Sequence, residues 1–132
     1  MSCVFCDIIA KKEPAHIVYE DEDLIAFLDK HPIADGHTLV LTKSHYERLG
    51  EIPQTQVAKL FTKVQELNQT IMGKMSAEGS HISVNDGEAA HQLVPHIHVH
   101  IIPRKANDEV TFTARKRLSS KEMERIRALI GT

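Results

Sequence analysis

The chain has few of the features that would send it out of a cell or into a membrane. It holds two cysteines in 132 residues, both within the first six positions. A pair so placed cannot staple a fold as the disulfides of small secreted domains do. No basic segment followed by an apolar core opens the sequence, and no apolar run approaches the roughly 20 residues of a membrane-spanning helix. These absences lead us to expect a cytoplasmic protein with no membrane partner. An excess of either charge is also missing: 16 Lys and Arg stand against 18 Asp and Glu, a formal net charge of -2. That balance gives no reason to expect nucleic acid as a partner. Internal repeats and low-complexity linkers are absent. At this length, with 42% hydrophobic residues, residues 1–132 read as one domain around a single core.

What the chain does have is histidine, nine in all. Three of them alternate with aliphatic residues in His96-Ile97-His98-Val99-His100-Ile101-Ile102. On a strand, successive side chains take opposite faces, so the aliphatics point one way and the imidazoles the other. The imidazoles are then rooted roughly 7 Å apart, two strand residues along. Such a row suits phosphate contacts, a nucleophile and metal ligands. The plainer alternative is a half-buried strand whose polar face is rich in histidine.

Around this stretch the patterns alternate between strand and helix. Ile8-Ile9 leads a short helix that ends by Glu13-Pro14. Residues 16–20 and 24–29 form a hairpin across the acidic turn Asp21-Glu22-Asp23, and residues 37–41 make a third strand after the Asp35-Gly36 turn. From Pro53, apolar residues at Val57, Leu60, Phe61, Val64, Leu67, Ile71 and Met75 predict an amphipathic helix of about twenty residues. A fourth strand covers residues 81–85. A polar loop of small residues, 86–95, then delivers the chain into the histidine strand. Beyond Arg104 lies a long connection in which residues 110–114 are a candidate edge strand. Arg115-Lys116-Arg117 is a basic run, read as solvated surface with a polyphosphate or nucleic-acid contact as the lesser alternative. Ser119-Ser120-Lys121-Glu122 is a capping box that starts a C-terminal helix with Met123, Ile126 and Ile130 inside. The fold class is α+β. Cys3-Val4-Phe5-Cys6 is either a redox pair, half of a metal site, or two unligated thiols. Zinc would need two more ligands, and spacing alone does not choose among nine histidines.

The His-φ-His-φ-His-φ-φ pattern (φ, apolar), with its approach Asn85-Asp86-Gly87-Glu88-Ala89-Ala90-His91-Gln92, exit Pro103-Arg104 and early run Phe5-Cys6-Asp7-Ile8-Ile9, resembles the histidine triad family of nucleotide hydrolases and transferases. The resemblance covers residues 3 to about 105 and leaves 106–132 as a C-terminal extension. It implies an antiparallel sheet of about five strands, one long helix, a C-terminal helix and a homodimer. It also implies hydrolysis at the α-phosphate of purine nucleoside phosphoramidates or dinucleoside polyphosphates, through a nucleotidyl-histidine. The middle histidine, His98, falls on the nucleophile position, with His100 and His37 on the phosphate oxygens. Asp29 would hold the ribose hydroxyls, although by itself it reads as a strand-end turn former. Phe27, Asn85 and Gln92 fall near base, ribose and phosphate. Some members bind structural zinc through positions matching Cys3, Cys6, His45 and His96. Two positions depart from the pattern: His91 replaces a usual glycine, and Leu93 replaces a usual serine or threonine that helps the leaving group. Leu93 supports an alternative, a nucleotide-binding or adaptor protein with vestigial activity.

Overall fold

The computed structural model describes residues 3–131. At its centre lies an antiparallel sheet of β1 (Ile17–Glu20), β2 (Leu24–Leu28), β3 (Thr38–Thr42), β4 (Gly79–Val84) and β5 (Val99–Arg104), in the spatial order β1-β2-β3-β5-β4. The first hairpin closes because Asp21 accepts the Asp23 and Leu24 N–H groups on one carboxylate oxygen, both at 2.8 Å. This is a local turn that an aspartate side chain can impose on its own backbone. β2 and β3 then pair in register from Leu24↔Thr42 to Leu28↔Thr38.

Helices cover both faces of the sheet. α2 (Gln54–Lys74) and α3 (Ser120–Ile130) lie on one face, and α1 (Val4–Ile9) lies on the other. α2 turns Leu60, Val64, Leu67 and Ile71 inward at three- and four-residue steps, as the apolar spacing predicts. Ile97, Val99 and Ile101 join that core. On the opposite face Ile25, Phe27, Leu39 and Leu41 pack with Cys3, Phe5 and Ile8 of the N-terminal segment. All five residues of β2 are therefore buried, as a strand covered on both sides must be. The same cover fixes the register of β5 on β3, Val40↔Val99 and Leu39↔His100. A slip by one residue would drive the imidazoles into the aliphatic core under α2.

Four sequence expectations are corrected. Residues 110–114 form no strand; Asp108 instead binds Arg104 through two N–H···O contacts, 2.7 and 2.9 Å, and accepts the Lys105 N–H, bending this stretch into a turn. The histidine strand enters the ladder only at Val99, because the Ile97 N–H goes to the Tyr46 carbonyl at 2.8 Å and the His96 N–H to the Val94 carbonyl. The fourth strand runs Gly79–Val84, starting two residues earlier and ending one earlier than the expected 81–85. α1 begins at Val4 with Cys3 as its N-cap and stops at Ile9, closed by Lys11 in the left-handed region (φ 63°).

Candidate active site

The alternation 96–102 does part its side chains as expected, aliphatics to one core and imidazoles to the other face. That face is no half-wet strand surface, however: His96, His98 and His100 are all buried, with the last two 7% and 9% exposed. α1 is the cover. Its Phe5 ring stands edge-on to the His98 ring at 5.0 Å between centroids, and Phe27 packs edge-on against Phe5 from below at 5.3 Å. Burial disfavours the imidazolium, so all three triad pKa values lie below their ordinary value, His96 at about 4 and His100 at about 3. Near neutral pH these are uncharged rings.

Each ring is fixed in one tautomer by a partner that can only accept or only donate. His98 Nδ1 lies 2.8 Å from the His96 carbonyl oxygen, so it must carry the proton. Its Nε2 is left with a free lone pair. On the neighbouring strand entry, His37 Nδ1 accepts the Ile33 N–H at 3.0 Å. His37 Nε2 therefore holds the proton and donates it to His100 Nδ1 at 2.9 Å, which places the His100 proton on Nε2. Asp29 Oδ2 stands 3.5 Å from the same His37 Nε2. His37 is fully buried and pushed down to about 4 by burial, the nearby carboxylate only partly opposing this. The result is a lone pair on His98 beside a hydrogen-bond donor on His100. One ring can attack an electrophile while the other binds an oxyanion.

The loop 86–95 is braced from the segment before α2. Asp86 accepts the Arg48 Nε–H at 2.9 Å and the Leu49 N–H at 3.0 Å. Gln92 accepts the Gly87 N–H and donates to the Glu47 and Val94 carbonyls, while the Asn85 amide donates to the His91 carbonyl. The two side chains expected from the sequence as polar contacts to the nucleotide here shape the loop, and both Gln92 amide hydrogens are committed to backbone carbonyls. His91 sits in the left-handed region, φ 66° and ψ 33°, where a glycine is unstrained. Gly87 is held by its backbone instead, at φ 102°, a conformation that side chains rarely adopt. Leu93 is 84% exposed.

At the other end of the triad strand, Cys3, Cys6, His45 and His96 bring their Sγ and Nδ1 atoms within 4.8 Å of one another. His96 Nδ1 is 3.6 Å from each sulfur, and His45 Nδ1 is 3.2 Å from the Cys6 sulfur. Sulfur and nitrogen ligands on a tetrahedral zinc, at 2.3 and about 2.0 Å, would be roughly 3.5 Å apart. His96 donates its Nε2–H to the Thr42 carbonyl at 2.8 Å, which turns the Nδ1 lone pair toward the thiols. Outer-sphere bonds of this kind orient metal-binding histidines. Burial and the adjacent Cys3 thiol push Cys6 up to about 11, a penalty that a cation among the four donors would reverse. The donor set fits zinc in number, softness and spacing.

The structure thus gathers His98, His100, His37 and Asp29 in one place and the two cysteines with His45 and His96 in another, joined by the triad strand. Two site neighbours were not assigned to the site from the sequence: Phe5, which carries the cover over His98 and was noted only within the N-terminal run, and Arg115, noted only within the basic run, whose guanidinium lies 3.2 Å from Asp29 Oδ2. Neither has a spacing that distinguishes it from an ordinary core aromatic or surface cation.

A buried histidine row on an antiparallel sheet, with one ring presenting a lone pair and another a hydrogen-bond donor, fits a histidine triad domain. Residues 10–107 match the HIT domain model, and the chain belongs to that family. It is 40% identical over 106 residues to an adenylylsulfatase from Arabidopsis thaliana, covering 80% of this chain and 54% of that protein. It is 38% identical over 116 residues to an adenosine 5'-monophosphoramidase from Candida albicans, covering 83% and 74%. Among solved structures, a zinc-bound histidine triad family protein from Mycobacterium smegmatis superposes with a TM-score of 0.87 at 39% identity, covering 98% of this chain and 94% of that one.

Proposed function

We propose that this chain is a nucleotide hydrolase that cleaves at the α-phosphate of purine nucleoside phosphoramidates or dinucleoside polyphosphates. The observation that carries this is the single tautomer of His98, whose Nδ1–H is held by the His96 carbonyl so that Nε2 presents a lone pair at neutral pH. Nε2 attacks the α-phosphorus, the bond to the leaving amine or phosphate breaks, and a nucleotidyl-His98 forms that water then hydrolyses. His100 Nε2–H and loop N–H groups bind the non-bridging oxygens where charge develops. His37 keeps His100 in the donating tautomer, and Asp29 accepts the ribose hydroxyls. Relatives named as a phosphoramidase and an adenylylsulfatase support hydrolysis at an adenylyl group with varied leaving groups.

Cys3, Cys6, His45 and His96 would hold a structural zinc, closed by four protein ligands and outside the chemistry. Its contribution would be to anchor the N-terminus and steady the strand that carries His98. The family resemblance also supports a homodimer, and β4 has a free edge with Ile82 43% exposed. Leu93 favours a second reading. With no hydroxyl there to assist departure, a poor leaving group would stay bound, and the protein would act as a nucleotide binder. Side-by-side incubation with an adenosine phosphoramidate and diadenosine tetraphosphate tests both. Turnover of either supports the hydrolase; tight AMP binding without turnover of either overturns it in favour of the binder.

A further inference from the structure

The proposed nucleotide site brings like charges together. Asp29 is an anion and so is any substrate phosphate, while His37 and His100 between them are neutral rings. Hydrogen bonds from imidazole can orient a phosphate, but they leave its charge uncompensated. A cation nearby would strengthen phosphate binding, and residues 10–107, the region matched by the family model, place no Lys or Arg in an ion pair with this carboxylate. Arg48 is bound to Asp86 on the far loop, and Lys116 is paired with Asp35.

The C-terminal extension supplies the cation. We propose that Arg115 is a phosphate-binding residue of this site, so that the chain selects nucleotides over nucleosides through a residue outside the family-matched region. Its Nη1 lies 3.2 Å from Asp29 Oδ2 and 3.0 Å from the His31 carbonyl oxygen. From Asp29 Oδ2 it is 3.5 Å to His37 Nε2, and from there 2.9 Å to His100 Nδ1. The guanidinium is thus three contacts from the ring assigned to the phosphate oxygens, and its charge helps depress both histidines. The segment that bears it is fastened on either side. Arg104 grips Asp108, the Lys116 N–H donates to the Pro32 carbonyl at 2.7 Å, and the Ser119 capping box begins α3. Arg115 itself is 40% exposed, which leaves its side chain room to turn. When ribose hydroxyls donate to Asp29, the guanidinium loses part of its hold there. Its five donors then serve the substrate phosphate, where charge-assisted bonds are strongest.

This inference rests on the nucleotide reading above, and the test separates the two. AMP and adenosine are titrated against the wild-type chain, Arg115→Gln and Arg115→Lys, with melting curves to confirm folding. The expected result is AMP binding weakened about tenfold in Arg115→Gln, adenosine binding changed less than about twofold, and most AMP affinity kept in Arg115→Lys. The salt dependence of AMP binding should also flatten in Arg115→Gln, since one screened charge pair is gone. Equal losses for AMP and adenosine would mean that Arg115 only holds the Asp29 carboxylate, and unchanged AMP affinity would remove it from the site; either overturns the proposal. Wild-type protein that binds neither ligand would overturn the nucleotide reading itself.

Discussion

His98 and His91 show how a side chain acquires its role from its neighbours. His98 is buried with an obligate acceptor, the His96 carbonyl, on Nδ1, which leaves its Nε2 lone pair for chemistry. Replacing it with alanine or asparagine should lower turnover of an adenosine phosphoramidate at least about a thousandfold while leaving AMP binding within a few-fold. Wild-type-like turnover in either variant, or a trapped nucleotidyl adduct on another residue, would defeat the nucleophile assignment. His91 bears a different kind of constraint. A non-glycine residue in the left-handed region costs on the order of 1 kcal/mol. His91→Gly should therefore raise the unfolding free energy by about 0.5 to 1 kcal/mol in denaturant melts. A loss of stability would mean that the ring makes a contact that outweighs the strain.

Elements place these side chains by being held at their ends. α3 begins at a reciprocal cap, with the Glu122 N–H donating to Ser119 Oγ and the Ser119 N–H to Glu122 Oε1, both at 3.1 Å. It buries Met123, Ile126 and Ile130 against the sheet and sets the endpoint of the extension that carries Arg115. Ser119→Ala should cost about 1 kcal/mol of stability, read as a lower denaturation midpoint. An unchanged midpoint would show the cap to be replaced by water. β5 is anchored differently, between β3 and β4 with an aliphatic core beneath and α1 above. Its imidazoles are consequently buried, although the alternating pattern alone suggested a polar, half-exposed face.

At the scale of the whole molecule, the buried His37 and the Cys3–Cys6–His45–His96 donor cluster lie at opposite ends of the triad strand. His37 is held neutral with a folded pKa of about 4, below the ordinary 6.5. Below pH 6.5 the unfolded chain takes up this proton first, so stability falls with falling pH until the folded ring titrates near 4. The loss should reach about 3 kcal/mol by pH 4, because a tenfold change in proton affinity is about 1.4 kcal/mol. The melting midpoint should be insensitive to this group above pH 7, and a flat profile from pH 6.5 to 4 would contradict the burial argument. At the other end, elemental analysis should find about one zinc per chain. Cys3→Ser/Cys6→Ser should lose the metal and melt at lower temperature, with activity falling only modestly in the cold. Metal-free protein whose melting curve is indifferent to strong chelator would return the cysteines to a redox or unligated role.

Local chemistry was legible in the amino-acid order: the amphipathic face of α2, the Asp21 turn, the Ser119 capping box and the alternation of the triad all follow from periods and short-range bonds. The gathering of Cys3, Cys6, His45 and His96, and the candidate nucleophile His98, were expected only through family resemblance, since spacing does not select His45 and His96 from nine histidines. What no local pattern could carry is any feature made by two distant segments meeting. The burial of the triad comes from Phe5, 93 residues before His98, folding over the sheet, and the tautomer of His100 comes from His37, 63 residues away. The failure of residues 110–114 to pair, despite strand-forming residues, comes from Arg104 capturing Asp108. Arg115 reads as one cation in a solvated basic run until the chain returns it to Asp29, 86 residues earlier. Pattern sets which face of an element is apolar; only packing sets what that face, and the polar one opposite, will meet.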